Sequence, residues 1–413
     1  MSGRFHALLV IVLSMSVAGL SGCALGPTAL RVSRTAYNEA VQRTTAEQLL
    51  LNLVRLQYRE APLFLEMGNI ATQFTFEGGG SIGQTINQNI PREEPTPDVW
   101  EWGANVGYRE QPTLTFSPLQ GDDFVRRLLS PVSLDSMLLL TRSGWRIDRV
   151  LRICVQQMNG LDNASNASSP TPQLAPEFED LARVSEALRD LQKERLLELT
   201  TELRYRAVEE LPVRTELTQE DVLGAEKAGY VFRPADGGGY VLCKPVYEVV
   251  WRIPLDRRSA EVQAAVELLG LDANETEYVV EGQGSSAALV STMPASKKIR
   301  LETRSLLGTL FYLSQGIDVP EAHRRAGVVT TTVRADGEPF DWSDVMGDLL
   351  HVRSQRLPPK NAAVAVLYRG YWFYIDDADL SSKSTFALLG QLFALQAGQE
   401  ALSGPVLTLP IGG

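Results

Sequence analysis

Apolar and polar side chains alternate across the stretch from Ile70 to Phe116, and this alternation constrains the fold more than any other feature of the chain. A period of two is typical of β-strands, whose successive side chains point to opposite faces. Glycines at 78–80 and the proline-containing segment 91–97 interrupt it. The stretch therefore predicts several antiparallel strands. Its apolar positions include Ile70, Phe74, Phe76, Ile82, Trp100, Trp102, Val106 and Tyr108.

Two interpretations of this β region stay open. The first is a soluble antiparallel sheet with one face on a core and the other in water. The second is a membrane β-hairpin at about 82–108, because alternating strands with terminal aromatic residues suit a bilayer. A single hairpin would expose unpaired backbone groups to lipid, so this interpretation requires a ring of subunits. The candidate membrane-facing residues are Ile82, Ile86, Ile90, Trp100, Trp102 and Tyr108.

The N-terminus has the residue order of a secretory signal peptide. Arg4 precedes an apolar run from Ala7 to Ala18, and small residues then lead to Cys23. Leu20-Ser21-Gly22-Cys23 resembles the lipobox of bacterial lipoproteins, in which the cysteine takes a diacylglycerol and becomes the mature N-terminus. Ala24 stands where an Asp would retain such a protein at the inner membrane, so the resemblance implies the outer membrane. The alternative is an ordinary signal peptide or anchor in which Cys23 is incidental.

Length and charge exclude some functions. The 413 residues allow two or three domains, and 44% hydrophobic residues are typical of a globular protein. The net charge of −11 comes without basic patches, which argues against nucleic-acid partners and against docking by charge on anionic lipid. With Cys23 assigned to lipid, Cys154 and Cys243 are left as a candidate disulfide in an oxidising periplasm. The alternative is two free, buried thiols.

The whole chain predicts an α+β fold: an N-terminal helix and amphipathic antiparallel β region, central helices, and a C-terminal mixed α+β domain. Leucines recur at helical spacing in 49–56, and a stripe from Phe178 to Leu191 predicts a second helix. We expect a signal peptide at 1–22, a lipidated tether at 23–34, the first helix with the β-hairpin region and short helices at 35–160, a linker at 161–176, a long charged helix at 177–212 and the C-terminal domain at 213–413.

Most motifs that carry catalytic or binding chemistry are absent from the sequence. It contains no Ser-x-x-Lys or His-Glu-x-x-His, no zinc-type Cys/His spacing and no phosphate-binding loop. One acidic cluster, Asp376, Asp377 and Asp379, separates an apparent strand from a helix. These carboxylates could hold a cation or a general base, or they simply favour the positive end of the helix. We expect neither cofactor nor metal.

Several blocks of the chain are similar to a family of uncharacterised Gram-negative outer-membrane lipoproteins. They lie towards both ends of the mature chain, so the resemblance covers most of it. It implies a lipoprotein but no activity and no catalytic residue. The blocks are Tyr37–Arg43, Glu47–Leu56, Leu306–Gly316 and Tyr368–Asp377 with Ser382–Phe386.

These observations predict a non-enzymatic lipoprotein of the outer membrane that faces the periplasm and serves as an interaction or assembly component of the cell envelope. Its expected partners are the membrane, through the lipid on Cys23, and an envelope protein; a homo-oligomer is left open. A subunit of an oligomeric pore or export complex is the first alternative. A hydrolase acting on envelope material is the second.

The lipid anchor is testable by one substitution. Cys23→Ser removes the thiol that would carry the acyl chains, so we expect loss of palmitate labelling and release from the membrane fraction. Metabolic labelling followed by fractionation measures both. Cys243→Ser serves as the control and should leave labelling unchanged. Equal labelling of the two variants would contradict the prediction.

Overall fold

The computed structural model describes residues 34–85, 99–208, 213–235, 237–282, 294–397 and 407–410. Within these ranges the chain forms eleven helices and three sheets, which confirms the α+β class. The predicted signal peptide, Cys23 and most of the tether lie outside the described residues, as do Ile86 and Ile90.

The described chain falls into two compact units. The larger takes its residues from Met1–Pro62 and Asp122–Gln399, and the smaller from Leu63–Gly121 and Glu400–Gly413. The predicted region 35–160 is therefore divided, because its helices and its hairpin belong to different units. The predicted linker at 161–176 is wrong as well. Asn163, Ala167 and Thr171 within it are at most 2% exposed, so this segment belongs to a core.

The smaller unit is a three-stranded antiparallel sheet. Strands β1 (Leu65–Thr85) and β2 (Val99–Pro118) form a long pair that we call the β-ribbon. Strand β13 (Leu407–Pro410) pairs with β2 at its base, from Thr113 to Phe116. The alternation in the sequence thus marks two long strands, and antiparallel pairing in this stretch is confirmed for the described residues. The predicted interruption at glycines 78–80 is wrong, because β1 continues through them.

A seven-stranded sheet lies in the larger unit. Its strands are β3 (Val155–Met158), β4 (Leu161–Asp162), β5 (Glu198–Ala207), β6 (Val231–Pro234), β7 (Tyr240–Arg252), β8 (Glu277–Gly282) and β9 (Lys298–Thr303). The order is β4-β3-β9-β8-β7-β5, and β6 pairs with β7 as well. Strands β8 and β9 run parallel, while the other neighbours run antiparallel. The sheet therefore joins strands far apart in the chain.

Helices cover this sheet and build the rest of the core. Helix α4 packs against α5 and α8, and α5 packs against α7. Serine or threonine side chains cap several of them, as Ser305 does by accepting from the Gly308 amide. The helices are α1 (34–57), α2 (Asp122–Leu129), α3 (Leu134–Arg142), α4 (Ile147–Cys154), α5 (Glu179–Lys193), α6 (Gln219–Lys227), α7 (Ala260–Leu268), α8 (Leu306–Ser314), α9 (Glu321–Arg325), α10 (Ser343–Met346) and α11 (Leu380–Ala397).

A third sheet connects the two ends of the larger unit. Its strands are β10 (Arg353–Gln355), β11 (Ala362–Tyr368) and β12 (Tyr371–Asp376), in the order β10-β12-β11. Tyr58, just after α1, packs its ring 5.3 Å from Tyr368 and 6.3 Å from Phe373. Arg369 donates to Glu60 over 2.8 Å. Strands β11 and β12 thus form a hairpin, and Tyr58, at the end of the first helix, packs against it.

The predicted long helix at 177–212 is only half right. Helix α5 ends at Lys193, Arg195 adopts a left-handed φ of 58°, and β5 begins at Glu198. Leu199 and Leu203 are four residues apart, a spacing that a helix face and a strand face both satisfy. Cross-strand ion pairs then favour the strand. Arg252 donates to Glu202, and Arg204 donates to Glu277.

The buried side chain of Arg304, which follows β9, hydrogen-bonds to strand β3 and to the segment after β4. Arg304 is 1% exposed, and its guanidinium donates to the carbonyls of Val155 and Asn163 as well as to Ser168 Oγ at 2.9 Å. It also lies 3.9 Å from the ring centroid of Tyr312. Burial lowers the pKa of Arg304 to about 10, so the side chain still carries its charge at neutral pH.

The two remaining cysteines are free buried thiols, so the candidate disulfide does not form. Cys154 ends α4, whose next residues form β3. Cys243 lies on β7 six residues before Val249, the first position of β7 that pairs with β8. At about 3.3 Å per residue, Cys243 lies some 20 Å along β7 from Val249. That distance is too long for a disulfide with Cys154, which lies beside β3.

The buried arginine makes a prediction about stability. Arg304→Met should lower the free energy of unfolding by about 3 kcal/mol or more, because several buried carbonyls lose a charged donor. Arg300→Met, at an exposed position of β9, is the matched control and should change it by less than about 0.5 kcal/mol. Urea unfolding followed by circular dichroism measures both. Equal midpoints would show that Arg304 does not hold these segments together.

Candidate functional site

The register of the β-ribbon sorts its residues into two chemically different faces. Residues directly opposite each other across an antiparallel pair share a face. Ile82 lies opposite Trp102, and Phe76 lies opposite Tyr108, so these apolar positions belong to one face. The positions between them make the other face and pair Gln73 with Gln111, Gly79 with Asn105 and Ser81 with Gly103.

The ribbon is long, and most of it has open edges. Its strands have 21 and 20 residues, which at about 3.4 Å per residue gives a length near 70 Å. Beyond Thr113, where β13 stops pairing, β1 and β2 pair only with each other among the described residues. Both outer edges there carry backbone groups without a strand partner in the described chain. Such edges are templates for pairing with another chain.

Four of the six candidate membrane-facing residues fall on the described ribbon. Ile82, Trp102 and Tyr108 are on one face, and Trp100, opposite Gln84, is on that face as well. The pairing register thus places candidate residues from β1 and from β2 on the same face of the ribbon.

None of the described helices has the length and apolar character needed to cross a membrane.

The three carboxylates of the acidic cluster at 376–379 form ion pairs and hydrogen bonds with nearby residues. Arg353 donates to Asp376 over 3.1 Å, and Lys383 donates to Asp377 over 2.6 Å. Asp379 accepts from the amide and the hydroxyl of Ser382, at 3.0 and 2.7 Å. Burial opposes ionisation of Asp379, but these donors hold its pKa below the ordinary value. Asp379 therefore caps the start of α11, while Asp376 and Asp377 form ion pairs with Arg353 and Lys383.

No group of three or more His, Cys, Asp or Glu side chains in the described parts of the chain is placed to hold a metal ion.

A cavity of about 370 Å³ lies in the larger unit, and its floor is made of uncharged polar side chains. Gln57 at the end of α1, Gln315 after α8 and Thr171 are 5%, 4% and 2% exposed. Gln315 Nε2 donates to Thr171 Oγ1, and Thr171 donates to Gln57 Oε1, each over 3.3 Å. Gln315 Oε1 is buried without a hydrogen-bond partner in the described structure. We call these three residues the amide floor.

Aromatic residues on the segment 339–342 form one wall of the cavity. Trp342 Nε1 donates to Thr332 Oγ1 over 3.1 Å, and the Thr332 hydroxyl donates to the Pro172 carbonyl over 2.7 Å. Phe340 packs edge-on against Trp342, with ring centroids 5.2 Å apart. The indole is therefore fixed by a hydrogen bond at one edge and by a ring contact.

Charged residues line the cavity too. His351 Nε2 lies 2.8 Å from Asp318 Oδ2. The amide and hydroxyl of Ser343 hold the pKa of Asp341 below its ordinary value, and the nearby Arg324 acts in the same direction. Two carboxylates thus stand beside one guanidinium and one imidazole.

Gly316 lets two chain segments approach closely beside the cavity. The Asp318 amide donates to the Val352 carbonyl, and the Val352 amide donates to the Gly316 carbonyl, each over 2.8 Å. A Cβ atom on Gly316 would lie 2.3 Å from the Leu350 carbonyl oxygen. Asp318 and His351 lie on the two segments that meet here, so the close approach at Gly316 sets the distance between their side chains.

Sequence reasoning missed the cavity entirely. Thr171 is 114 residues from Gln57 and 144 from Gln315, and no local motif connects them. Their only signal is polarity at positions next to apolar stretches, such as Gln57 after Leu56.

No protein-family model, no curated protein and no solved structure matches this chain. The resemblance to outer-membrane lipoproteins therefore stays a prediction.

The close approach at Gly316 makes a prediction about stability. Gly316→Ala should lower the free energy of unfolding by about 1–3 kcal/mol, because the added methyl group meets backbone rather than a flexible side chain. Gly390→Ala is the matched control: nothing lies within 4 Å of its Cβ position in α11, so we expect no loss, or a gain of up to about 1 kcal/mol. Thermal unfolding measures both, and equal losses would contradict the close contact.

Proposed function

We propose that this protein is a non-enzymatic lipoprotein, anchored in the outer membrane by lipid on Cys23 and facing the periplasm, that assembles with other chains through its β-ribbon. The observation that carries the proposal is the length of ribbon with unpaired edges. A two-stranded ribbon is marginally stable in water by itself. Pairing with a strand of another chain would satisfy the edge backbone groups and stabilise it.

The N-terminal sequence supports the location. The lipobox-like Leu20-Ser21-Gly22-Cys23 would place acyl chains at the start of the mature protein. Each buried CH₂ contributes about 0.8 kcal/mol, so several chains hold a protein firmly at a bilayer. An anchored protein is confined to a surface, which raises the local concentration of its copies. The anchor therefore favours assembly through the ribbon.

A second function is favoured by how the aromatic residues are spaced along the ribbon. Phe74, Phe76 and Tyr108 lie towards one end of the apolar face, and Trp100 and Trp102 lie near the other. From Phe76 to Ile82, opposite Trp102, the strand rises by about 20 Å, close to the ~25 Å apolar band of membrane hairpins. A ring of such ribbons, with the polar face inward, would make the protein a subunit of a pore or export complex.

Shortening the ribbon tests the assembly function. Replacing residues 78–106 by Asn-Gly joins Glu77 to Gly107, which are opposite each other, through a turn suited to hairpins. We expect full-length protein in mild detergent to form a defined oligomer or to retain a partner, and the shortened protein to run alone. Analytical ultracentrifugation and mass spectrometry of co-purifying chains measure this. A wild-type protein that is monomeric and without partners would refute the proposal.

A pair of neighbouring substitutions tests the pore function. Val106→Lys places a charge on the apolar face between the two aromatic groups, where a lipid-exposed Lys costs about 2–4 kcal/mol at the bilayer centre, while Asn105→Lys places it on the polar face. We expect Val106→Lys to abolish quenching of Trp100 and Trp102 by brominated lipids and to lower conductance in planar bilayers. Asn105→Lys should keep the quenching. If wild-type fluorescence is not quenched by these lipids, the ribbon does not enter the membrane.

A further inference from the structure

We propose that the cavity above the amide floor binds one pyranose ring of an uncharged saccharide. This inference is independent of the ribbon and of the lipid anchor. It rests on the chemistry of the floor, the aromatic wall and the charges around the cavity.

One atom of the amide floor lacks a hydrogen-bonding partner. Gln315 is 4% exposed, and its Oε1 is a buried acceptor that no donor of the described structure satisfies. An unpaired acceptor of this kind costs about 1–3 kcal/mol, which a ligand hydroxyl would recover once the amide turns towards the cavity. The contacts of Gln57 and Gln315 with Thr171, at 3.3 Å, are longer than the usual range, so the floor can rearrange around an inserted hydroxyl.

The residue types match the two sides of a sugar ring. A pyranose presents hydroxyls, which both donate and accept, around its edge and C–H groups on its faces. Amide and hydroxyl side chains also donate and accept. Trp342 and Phe340 supply an apolar surface for the C–H face, and the bond from Trp342 Nε1 to Thr332 Oγ1 holds the indole in place. Asp318 adds a carboxylate that accepts from hydroxyls.

Charge and size exclude other ligand classes. Asp318 and Asp341 outnumber the single guanidinium of Arg324, which disfavours phosphate and other anions. Both carboxylates already have partners, Asp318 in His351 Nε2 at 2.8 Å and Asp341 in the Ser343 amide at 2.9 Å, which weakens their attraction for the ammonium group of a ligand. The volume of about 370 Å³ is at the lower end of the ~300–1,000 Å³ range of small-molecule pockets, which suits one ring of a saccharide.

Calorimetric titration of the full-length lipidated protein tests the proposal. The detergent must have no sugar headgroup, because a glucoside or maltoside would compete. Glucose and N-acetylglucosamine are the sugar probes; D-alanyl-D-alanine and inorganic phosphate represent zwitterions and anions. We expect saturable binding of at least one sugar and none of the other two probes. If neither sugar binds, or if the dipeptide or phosphate binds instead, the proposal is wrong.

Three variants locate the site. Gln315→Met removes the unpaired acceptor and should weaken sugar binding about tenfold or more. Thr331→Phe fills the cavity from an exposed position, so it should block binding even if Gln315→Met fails to fold. Gln355→Met makes the same amide-to-thioether change outside the cavity and should bind as the wild type does. Wild-type affinity in Thr331→Phe would place the sugar elsewhere and overturn the proposal.

Discussion

The buried charge of Arg304 helps to hold several segments of the larger unit together. One guanidinium donates to the carbonyls at the end of α4, to β3 and to the segment after β4, while Tyr312 of α8 packs on it. The buried guanidinium is tolerated because carbonyl oxygens accept the hydrogen bonds that water would otherwise accept. Gln315 comes three residues after Tyr312, so the position of the amide floor depends on this arrangement.

Local patterns predicted local structure well. Alternation indicated the two strands of the ribbon, and the leucines at helical spacing in 49–56 indicated the first helix, which is α1. The prediction was wrong at 198–207, where leucines four residues apart fit both periods and the deciding ion pairs come from β7 and β8. The segment 161–176 has the composition of a loop, but Arg304, more than 130 residues later, draws it into the core. The cavity was missed for the same reason, because its residues are far apart in the sequence and meet only in the folded chain.

The larger unit and the β-ribbon differ in how their polar groups are hydrogen-bonded. The larger unit pairs many of its buried polar groups, as in the capping of α11 by Asp379 and the enclosure of Arg304. The β-ribbon keeps its ladder but has backbone groups along both edges without strand partners in the described chain. Such edges can gain free energy by pairing with a strand of another chain. This contrast is why the proposed function centres on the ribbon, while the saccharide proposal concerns the one buried acceptor of the amide floor.

The packing of Tyr58 on Phe373 and the ion pair between Glu60 and Arg369 have a consequence for how the chain acquires its structure. These contacts join residues about 310 positions apart. A ribosome or an export channel delivers the N-terminal end first. Helix α1 cannot complete these contacts until nearly the whole chain has emerged. Contacts of such long range slow folding and lengthen the exposure of apolar surface.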